Sequence, residues 1–349
     1  MVDVPFVNES GRELTQRHGW WWCAAAAILF GAATPATKML VDDAGALTIA
    51  GLLYLGAAAA VAPFAVREER SPRTRRERSL LLVSVGLGGG LAPVLLVLAL
   101  DRTAAGTVSL FLNLELVATA IIARVFLHEH VGRRAAIGIV VVVVGGVILV
   151  GTSEMSVAAG ALLVVGACVC WGVDNAITAG LDAYSPSQIT LAKGVVAGSV
   201  NLALGVALDG APGLGSVAGA LAIGAVGYGM SITMWITGAR LLGAARGQAI
   251  FALAPFIGVL LARPINGDQV TPNMVVAFAV SLVGVLVVAT SHHRHRHAHQ
   301  LVEHSHPIDP TDPHHQPGTI VVVSGAAHRH LPLTHEHEHL PDIHHRHEH

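Results

Sequence analysis

Three charged residues stand inside long apolar stretches of this sequence: Glu115, Asp174 and Lys193. A charge in such surroundings is costly unless it is paired or faces a cavity, and it often marks a pathway for ions or solutes. For Glu115 we expect either coupling to a proton or another ion, or a structural hydrogen bond to a neighbouring helix. The chemistry that these residues suggest is the binding and exchange of charge.

Asp174 and Lys193 lie at similar distances from a predicted turn near residues 183–184. On two antiparallel helices they can form an ion pair, which offsets the cost of isolated buried charges. Alternatively, the Lys193 ammonium group extends to the membrane interface. For Lys38 the two alternatives are binding of substrate and extension of its ammonium group to the membrane interface. The candidate substrate and ion-coupling residues are Glu115, Asp174, Asn175, Asn113, Lys193 and Lys38.

A second type of candidate site is a metal site. Cys170 precedes Asp174 by one helical turn, and a thiol with a carboxylate can contact a soft or borderline metal. After Thr290 the composition changes, and residues 291–349 contain most of the histidines. This biased composition predicts a disordered tail that binds a divalent metal such as zinc, nickel or cobalt, either functionally or incidentally. The candidate metal ligands are His335, His337, His339, His344, His345 and His347.

The composition indicates where these residues must be positioned. The chain of 349 residues is 53% hydrophobic and 13% charged, whereas soluble proteins contain about 25% charged residues. Its apolar stretches are long enough to cross a hydrocarbon core of about 30 Å as helices. We therefore predict an all-α polytopic membrane protein with ten transmembrane helices. The predicted spans are residues 20–40, 46–66, 79–100, 104–127, 132–151, 157–179, 185–208, 215–238, 243–263 and 271–290.

The distribution of arginines predicts the orientation in the membrane. Residues 67–78 contain six arginines, and Arg133 and Arg134 follow the fourth span. Because cytoplasmic loops are enriched in Lys and Arg, both loops are placed in the cytoplasm. An even number of spans then places both termini there, and we expect a multi-pass protein of the plasma membrane. The arginines are explained by topology and lipid head groups, so no nucleic-acid partner is expected.

The apolar part contains an internal repeat. Residues 104–151 and 244–290 both consist of an apolar span, a short polar elbow and a second apolar span, and Phe111 matches Phe251. Repeats of this kind are typical of secondary transporters. Five spans in each half invert the second half relative to the first. The predicted organisation is an N-terminal segment (1–18), two five-helix repeats (19–151 and 152–290) and the tail (291–349).

Short motifs in both repeats support a family resemblance. They include Leu112-Asn113-Leu114-Glu115 in the first repeat, and Cys170-Trp171-Gly172-Val173-Asp174-Asn175 and Ala254-Pro255-Phe256 in the second. Over about residues 19–290 the chain resembles the EamA-like permeases of the drug/metabolite transporter superfamily. The resemblance implies ten helices, two inverted repeats and transport of small solutes. Glu115 replaces a proline usual in that family, whereas the second repeat keeps it as Pro255.

Three functions are consistent with the sequence. The first is a secondary active transporter of a small solute, working by alternating access and coupled to an ion. The second is a transporter of divalent zinc, nickel or cobalt ions with the tail as metal buffer or sensor. The third is a membrane sensor of metal or pH that transports nothing. No enzymatic activity and no required cofactor are expected; the bilayer is a partner, and a homodimer is a possible assembly.

Overall fold

The computed structural model divides the chain into two compact units, Met1–Thr290 and Ser291–His349. The first unit is helical and the second contains only strands among its described elements. The residues that the structure describes are 9–68, 73–126, 132–150, 155–179, 181, 183–242, 250–290, 293–299, 302–305, 320–324, 327–330 and 333–339.

The described helices overlap the predicted spans, although α1 already begins at Glu9, within the predicted N-terminal segment. The described helices are α1 (Glu9–Lys38), α2 (Ala46–Ala65), α3 (Arg75–Ser84), α4 (Ala92–Arg102), α5 (Ala105–Phe111), α6 (Leu114–Phe126), α7 (Arg133–Val150), α8 (Met155–Ala179), α9 (Pro186–Asp209), α10 (Leu214–Ile223), α11 (Ser231–Leu242), α12 (Ala254–Asn266) and α13 (Pro272–Ala289).

Six helical stretches of the described residues are long and apolar enough to cross a membrane. Two shorter apolar helices, Ala254–Asn266 and Pro272–Val288, accompany them. The outward faces of α7 and α9 expose many valines and leucines, which suits a lipid environment. The protein is therefore a polytopic helical membrane protein, as the composition predicted.

Two π-helical segments interrupt long helical rods. Val85–Leu91 joins α3 to α4, and Gly224–Met230 joins α10 to α11. Both segments are rich in glycine and lie in the third predicted span of their half. The wider turn of a π-helix is uncommon and is often found at functional sites.

A break in the helix also occurs in the fourth predicted span of each half. Turns at residues 112–113 and 252–253 separate the helical residues before them from α6 and α12. The backbone continues through both turns by hydrogen bonds to residues three positions earlier, as from Asn113 N to Leu110 O and from Leu253 N to Ile250 O.

The helix pairs that pack together follow a simple exchange rule. Each helix of one half has a counterpart five spans away in the other half. α1 packs against the α10–α11 rod, and its counterpart α8 packs against the corresponding rod, α3–α4. The contact of α1 with α12 likewise becomes that of α8 with α6. The pairs α2 with α9 and α7 with α13 are exchanged into themselves.

Glycines allow these self-exchanging pairs to approach closely. At the crossing of α7 and α13, an added Cβ on Gly138 would lie 2.8 Å from the Gly284 carbonyl oxygen, and the reverse distance is also 2.8 Å. At the crossing of α2 and α9, a Cβ on Gly51 would clash with the backbone of Leu202. Small residues stabilise membrane helix pairs because backbones in close contact gain van der Waals energy.

The second unit differs from the prediction of a disordered tail. Its five strands are β1 (His293–His299), β2 (Val302–Ser305), β3 (Ile320–Ser324), β4 (Ala327–His330) and β5 (Leu333–His339). β1 pairs antiparallel with β5, and β2, β4 and β3 form a second sheet. The alternation of His with Arg or Glu has the two-residue period of a strand. The register places Arg294 opposite Glu338, so opposite charges stand at paired positions.

Candidate functional site

The centre of the candidate site is an ion pair between α8 and α9. Lys193 Nζ lies 2.6 Å from Asp174 Oδ2, with the two side chains 12% and 6% exposed. Ser84, at the end of α3, donates a 2.5 Å hydrogen bond from its Oγ to Asp174 Oδ1. The predicted ion pair is therefore present, and Lys193 does not extend to the interface. Charge-assisted bonds of this kind compensate much of the cost of burying the two ions.

The turn between α8 and α9 brings the two partners of this pair together. Ser185 caps α9, because its Oγ accepts a hydrogen bond from Gln188 N and the Gln188 side chain bonds back to the Ser185 backbone. Pro186 occupies the first turn, where its missing N–H costs nothing. The helix therefore begins at a defined residue, which fixes the position of Lys193 relative to Asp174.

The π-helical segment Val85–Leu91 packs directly against the ion pair. The Tyr54 hydroxyl and the Trp171 indole Nε1 both donate to the Gly88 carbonyl oxygen, at 2.6 and 3.2 Å. A Cβ at Gly88 would collide with the Asp174 carboxylate. Only glycine leaves space for Asp174 at this position.

Glu115 joins the same region from the first half of the chain. Asn175 Nδ2 donates to Glu115 Oε1 at 3.0 Å, and both residues are half-buried. The Glu115 and Asp174 carboxyl groups also interact electrostatically. Of the two expected roles, a hydrogen bond to a neighbouring helix is present, with Asn175 as the partner. Adjacent residues of α8 thus connect Glu115 to the ion pair.

Asn113 and Lys38 make contacts that lead away from this cluster. Asn113 is buried in the break between α5 and α6 and donates a 2.9 Å hydrogen bond to the Leu110 carbonyl oxygen. The Lys38 ammonium group donates to the Leu100 carbonyl oxygen in α4. These two sequence candidates therefore stabilise helix ends and crossings in this structure.

A cluster of aromatic rings was not identified from the sequence. Phe30 is its centre, with ring centroids 6.5 Å from Trp171, 5.5 Å from Tyr228 and 5.3 Å from Phe251. Tyr54 packs on Tyr228 at 5.7 Å. The rings come from distant parts of the chain, so no periodicity reveals them. The available signal was their rarity, because aromatic residues are only 5% of the sequence.

Metal ligands are not assembled among the residues whose side chains the structure describes. No group of three or more His, Cys, Asp or Glu could hold a metal ion there. Cys170 is buried near Asp174 without a third candidate ligand in that part of the chain. Of the predicted tail ligands, His335, His337 and His339 belong to β5, and His344, His345 and His347 lie outside the described residues.

Comparison with known proteins identifies the family. A sequence model described as the EamA-like transporter family matches twice, over residues 17–151 and 158–290. The chain belongs to the EamA-like transporter family. It is therefore a multi-pass membrane protein from a family that transports small solutes, and the family resemblance seen in the sequence is confirmed.

Two individual proteins are similar to this EamA family member. An uncharacterized transporter of Methanothermobacter thermautotrophicus is 24% identical over 307 residues, covering 80% of this chain and 88% of the relative. A protein of known crystal structure superposes with a TM-score of 0.58 at 15% identity, covering 79% of this chain and 98% of the other. The second likeness shows a common fold.

Proposed function

We propose that this protein is a secondary active transporter that moves a small solute across the plasma membrane by alternating access. Coupling to a proton or another ion takes place at Glu115, and the Asp174–Lys193 pair holds the neighbouring helices in position. The observation that supports this site is a half-buried carboxylate linked through Asn175 to a buried ion pair. Residues of both halves meet there, which is where transporters built from two repeats bind their substrates.

Two similar halves that can exchange conformations provide a simple route to alternating access. The exchange rule of the helix pairs and the double family match support this proposal. With five spans in each half, the two repeats are related by a two-fold axis in the membrane plane. An exchange of their conformations then opens the site to the opposite side.

The proposed orientation places the loop 67–74 and the turn 180–185 in the cytoplasm with both termini. Contacts agree with a common side for these two segments, because Ser187 Oγ donates to Glu68 Oε2 at 2.5 Å. Arg73 stacks over the Tyr184 ring at 4.2 Å and donates to Gln188 Oε1. On the proposed outer side, Asp268 Oδ2 accepts a 2.8 Å hydrogen bond from Gly106 N.

Glu115 is the residue at which ion binding changes the charge of the site. Its described partner is the neutral Asn175 amide, whereas Asp174 is already neutralised by Lys193. Protonation of Glu115 removes an uncompensated charge from the membrane interior, which lowers the cost of moving the site between its two states. Solute and proton transport become linked in this way.

The test uses the full chain reconstituted in liposomes that contain a pH-sensitive dye. Amino acids, amines, carboxylates and sugars are added separately, and solute-dependent proton movement is recorded. We expect at least one class to move protons and Glu115→Gln to reduce that rate at least tenfold. The matched control is Asp209→Asn, an exposed carboxylate at the end of α9. A rate in Glu115→Gln equal to that of the unaltered protein would remove Glu115 from the coupling.

The two alternative functions have less support. A divalent metal transporter needs ligands inside the membrane unit, and no group of three is present among its described residues. A sensor that transports nothing does not explain two similar helical halves. Deletion of residues 291–349 is therefore expected to leave solute transport intact.

A further inference from the structure

We propose that strands β1 and β5 bind a divalent transition-metal ion through paired histidines, and that the ion holds the two strands together. The inference concerns the second unit alone and is independent of the proposed transport function. It rests on the register of the two strands, which brings histidines from distant parts of the tail to paired positions.

The register is the first argument. Three histidines of β1 stand directly opposite three histidines of β5. The pairs are His293 with His339, His295 with His337, and His297 with His335. Successive residues of a strand belong to opposite faces, so the three pairs share one face of the sheet, the histidine face. The other face carries Arg294 opposite Glu338 and Arg296 opposite Glu336.

The charges on the other face favour this register over its alternatives. Opposite charges at directly paired positions stabilise an antiparallel pair of strands. A slip by one residue would place the histidines of the two strands on different faces. A slip by two residues would leave one of the two arginines without a glutamate opposite it. The alternation of charge with histidine therefore specifies a continuous histidine face.

The spacing on the histidine face suits a metal ion. Directly opposed residues of an antiparallel pair have Cβ atoms about 4.5–5.5 Å apart, and alternate residues of one strand are about 6.7 Å apart. His295 and His337 form the central pair, with a histidine pair on each side. Neutral imidazole is a ligand of zinc, nickel and copper, and zinc takes three or four protein ligands in a tetrahedral arrangement. The central pair and one neighbouring pair supply that number of ligands.

The composition of the sheet is the second argument. A sheet of only two strands is marginally stable in water. β1 and β5 form such a sheet, and Ala298 and Leu333 are the only apolar residues among their paired positions. Burial of apolar surface within the sheet therefore contributes little to its stability. An ion bound by histidines of both strands supplies the missing stability, because the free energy of metal binding is then also free energy of folding.

Two variants of the full chain with unchanged composition test the site. The face variant moves the central histidine pair to the other face and keeps a histidine pair and an Arg–Glu pair at these positions. Its substitutions are His295→Arg, Arg296→His, Glu336→His and His337→Glu. The charge variant is the matched control, because it exchanges opposite charges between the strands and leaves the histidine face intact. Its substitutions are Arg294→Glu, Arg296→Glu, Glu336→Arg and Glu338→Arg.

The measurement is the zinc affinity of the tightest site in each purified protein, determined by competition with a chromophoric chelator. We expect the charge variant to bind zinc as tightly as the unaltered protein, and the face variant to bind it at least tenfold more weakly. Binding that depended only on the number of histidines would give three equal affinities. Equal affinity in the face variant, or an equal loss in the charge variant, would overturn the proposal.

Spin labels report whether the ion also joins the strands. Ala298→Cys and Thr334→Cys introduce labelling sites at directly opposed positions outside the histidine face, in a background without Cys23, Cys168 and Cys170. We expect zinc to give one short distance between the labels and chelation to lengthen and broaden it. The face variant should need at least tenfold more zinc for the same change. A distance that does not respond to zinc in the unaltered tail would overturn the joining of the strands by the ion.

Discussion

Asp174 and Glu115 are both carboxylates of the membrane interior, but their partners differ in charge. Asp174 is bonded to an ammonium group and a hydroxyl, whereas the hydrogen-bond partner of Glu115 among the described residues is an amide. The first arrangement is complete without a ligand, and the second is not. We therefore assign a mainly structural role to the ion pair and the exchange of charge to Glu115.

A comparison of single and double variants tests this division of roles. Lys193→Met leaves Asp174 buried without its counter-charge, and breaking a buried pair in this way costs about 3–5 kcal/mol. The double variant Asp174→Asn, Lys193→Met removes both charges and should recover most of the loss. The measurement is the apparent unfolding temperature in detergent. A single variant as stable as the double variant would contradict a structural ion pair.

The sequence predicted part of this site for a physical reason. Charges in apolar stretches are rare, so Glu115, Asp174 and Lys193 could be found, and the cost of isolated charges predicted the pairing of the last two. The partnership of Glu115 with Asn175 joins residues 60 positions apart. It depends on how α6 packs on α8, and no local pattern encodes that packing.

The helical elements position the site through their irregular segments. Val85–Leu91 brings the Gly88 carbonyl oxygen to two side-chain donors and leaves room for Asp174. Hydropathy predicted that long apolar helices are present, and six described stretches are long and apolar enough to cross a membrane, because every backbone group in a membrane must be satisfied within the helix. It could not predict the π-helical segments, although the run Gly88-Gly89-Gly90 was a visible sign of close packing.

Substitution of glycines within this segment tests its role. In Gly88→Ala the new methyl group would collide with Asp174, and overpacking of this kind costs about 1–3 kcal/mol. The matched control is Gly86→Ala in the same segment, where an added Cβ meets no atom within 4 Å. Both changes alter helix propensity equally.

We expect Gly88→Ala to lower both the apparent unfolding temperature and the rate of transport, and Gly86→Ala to change neither strongly. Transport assays in liposomes and thermal unfolding in detergent give the two values. Equal effects of the two substitutions would mean that propensity, and not space for Asp174, makes glycine necessary at position 88.

At the scale of the whole molecule, the packing of the helices connects the two halves of the sequence. Each half places a π-helical segment in its third span and a break in its fourth. The exchange rule then relates the contacts of α1 to those of α8. The candidate site residues do not follow this symmetry, because Glu115 stands near the first break whereas Pro255 stands near the second. In the proposed transport cycle, a symmetric scaffold allows the two states to be similar in energy, while an asymmetric site lets one set of residues bind the solute.

The proposed inversion of the halves makes a direct prediction about topology. The loop after the second span of the first half and the loop after the second span of the second half must lie on opposite sides of the membrane. Arg75→Cys and Ala211→Cys place single cysteines at exposed positions beside these equivalent loops. The native Cys23, Cys168 and Cys170 are buried and can be replaced by alanine or serine in the background.

A maleimide that does not cross membranes distinguishes the two sides in intact cells. We expect it to label Ala211→Cys directly and Arg75→Cys only after permeabilisation, because the six arginines of residues 67–78 predict a cytoplasmic location for this loop. Labelling of both cysteines from the same side would mean that the halves are parallel, and alternating access by exchange of inverted repeats would then be wrong. If Arg75→Cys is labelled directly and Ala211→Cys only after permeabilisation, the halves are still inverted, and only the proposed orientation in the membrane is wrong.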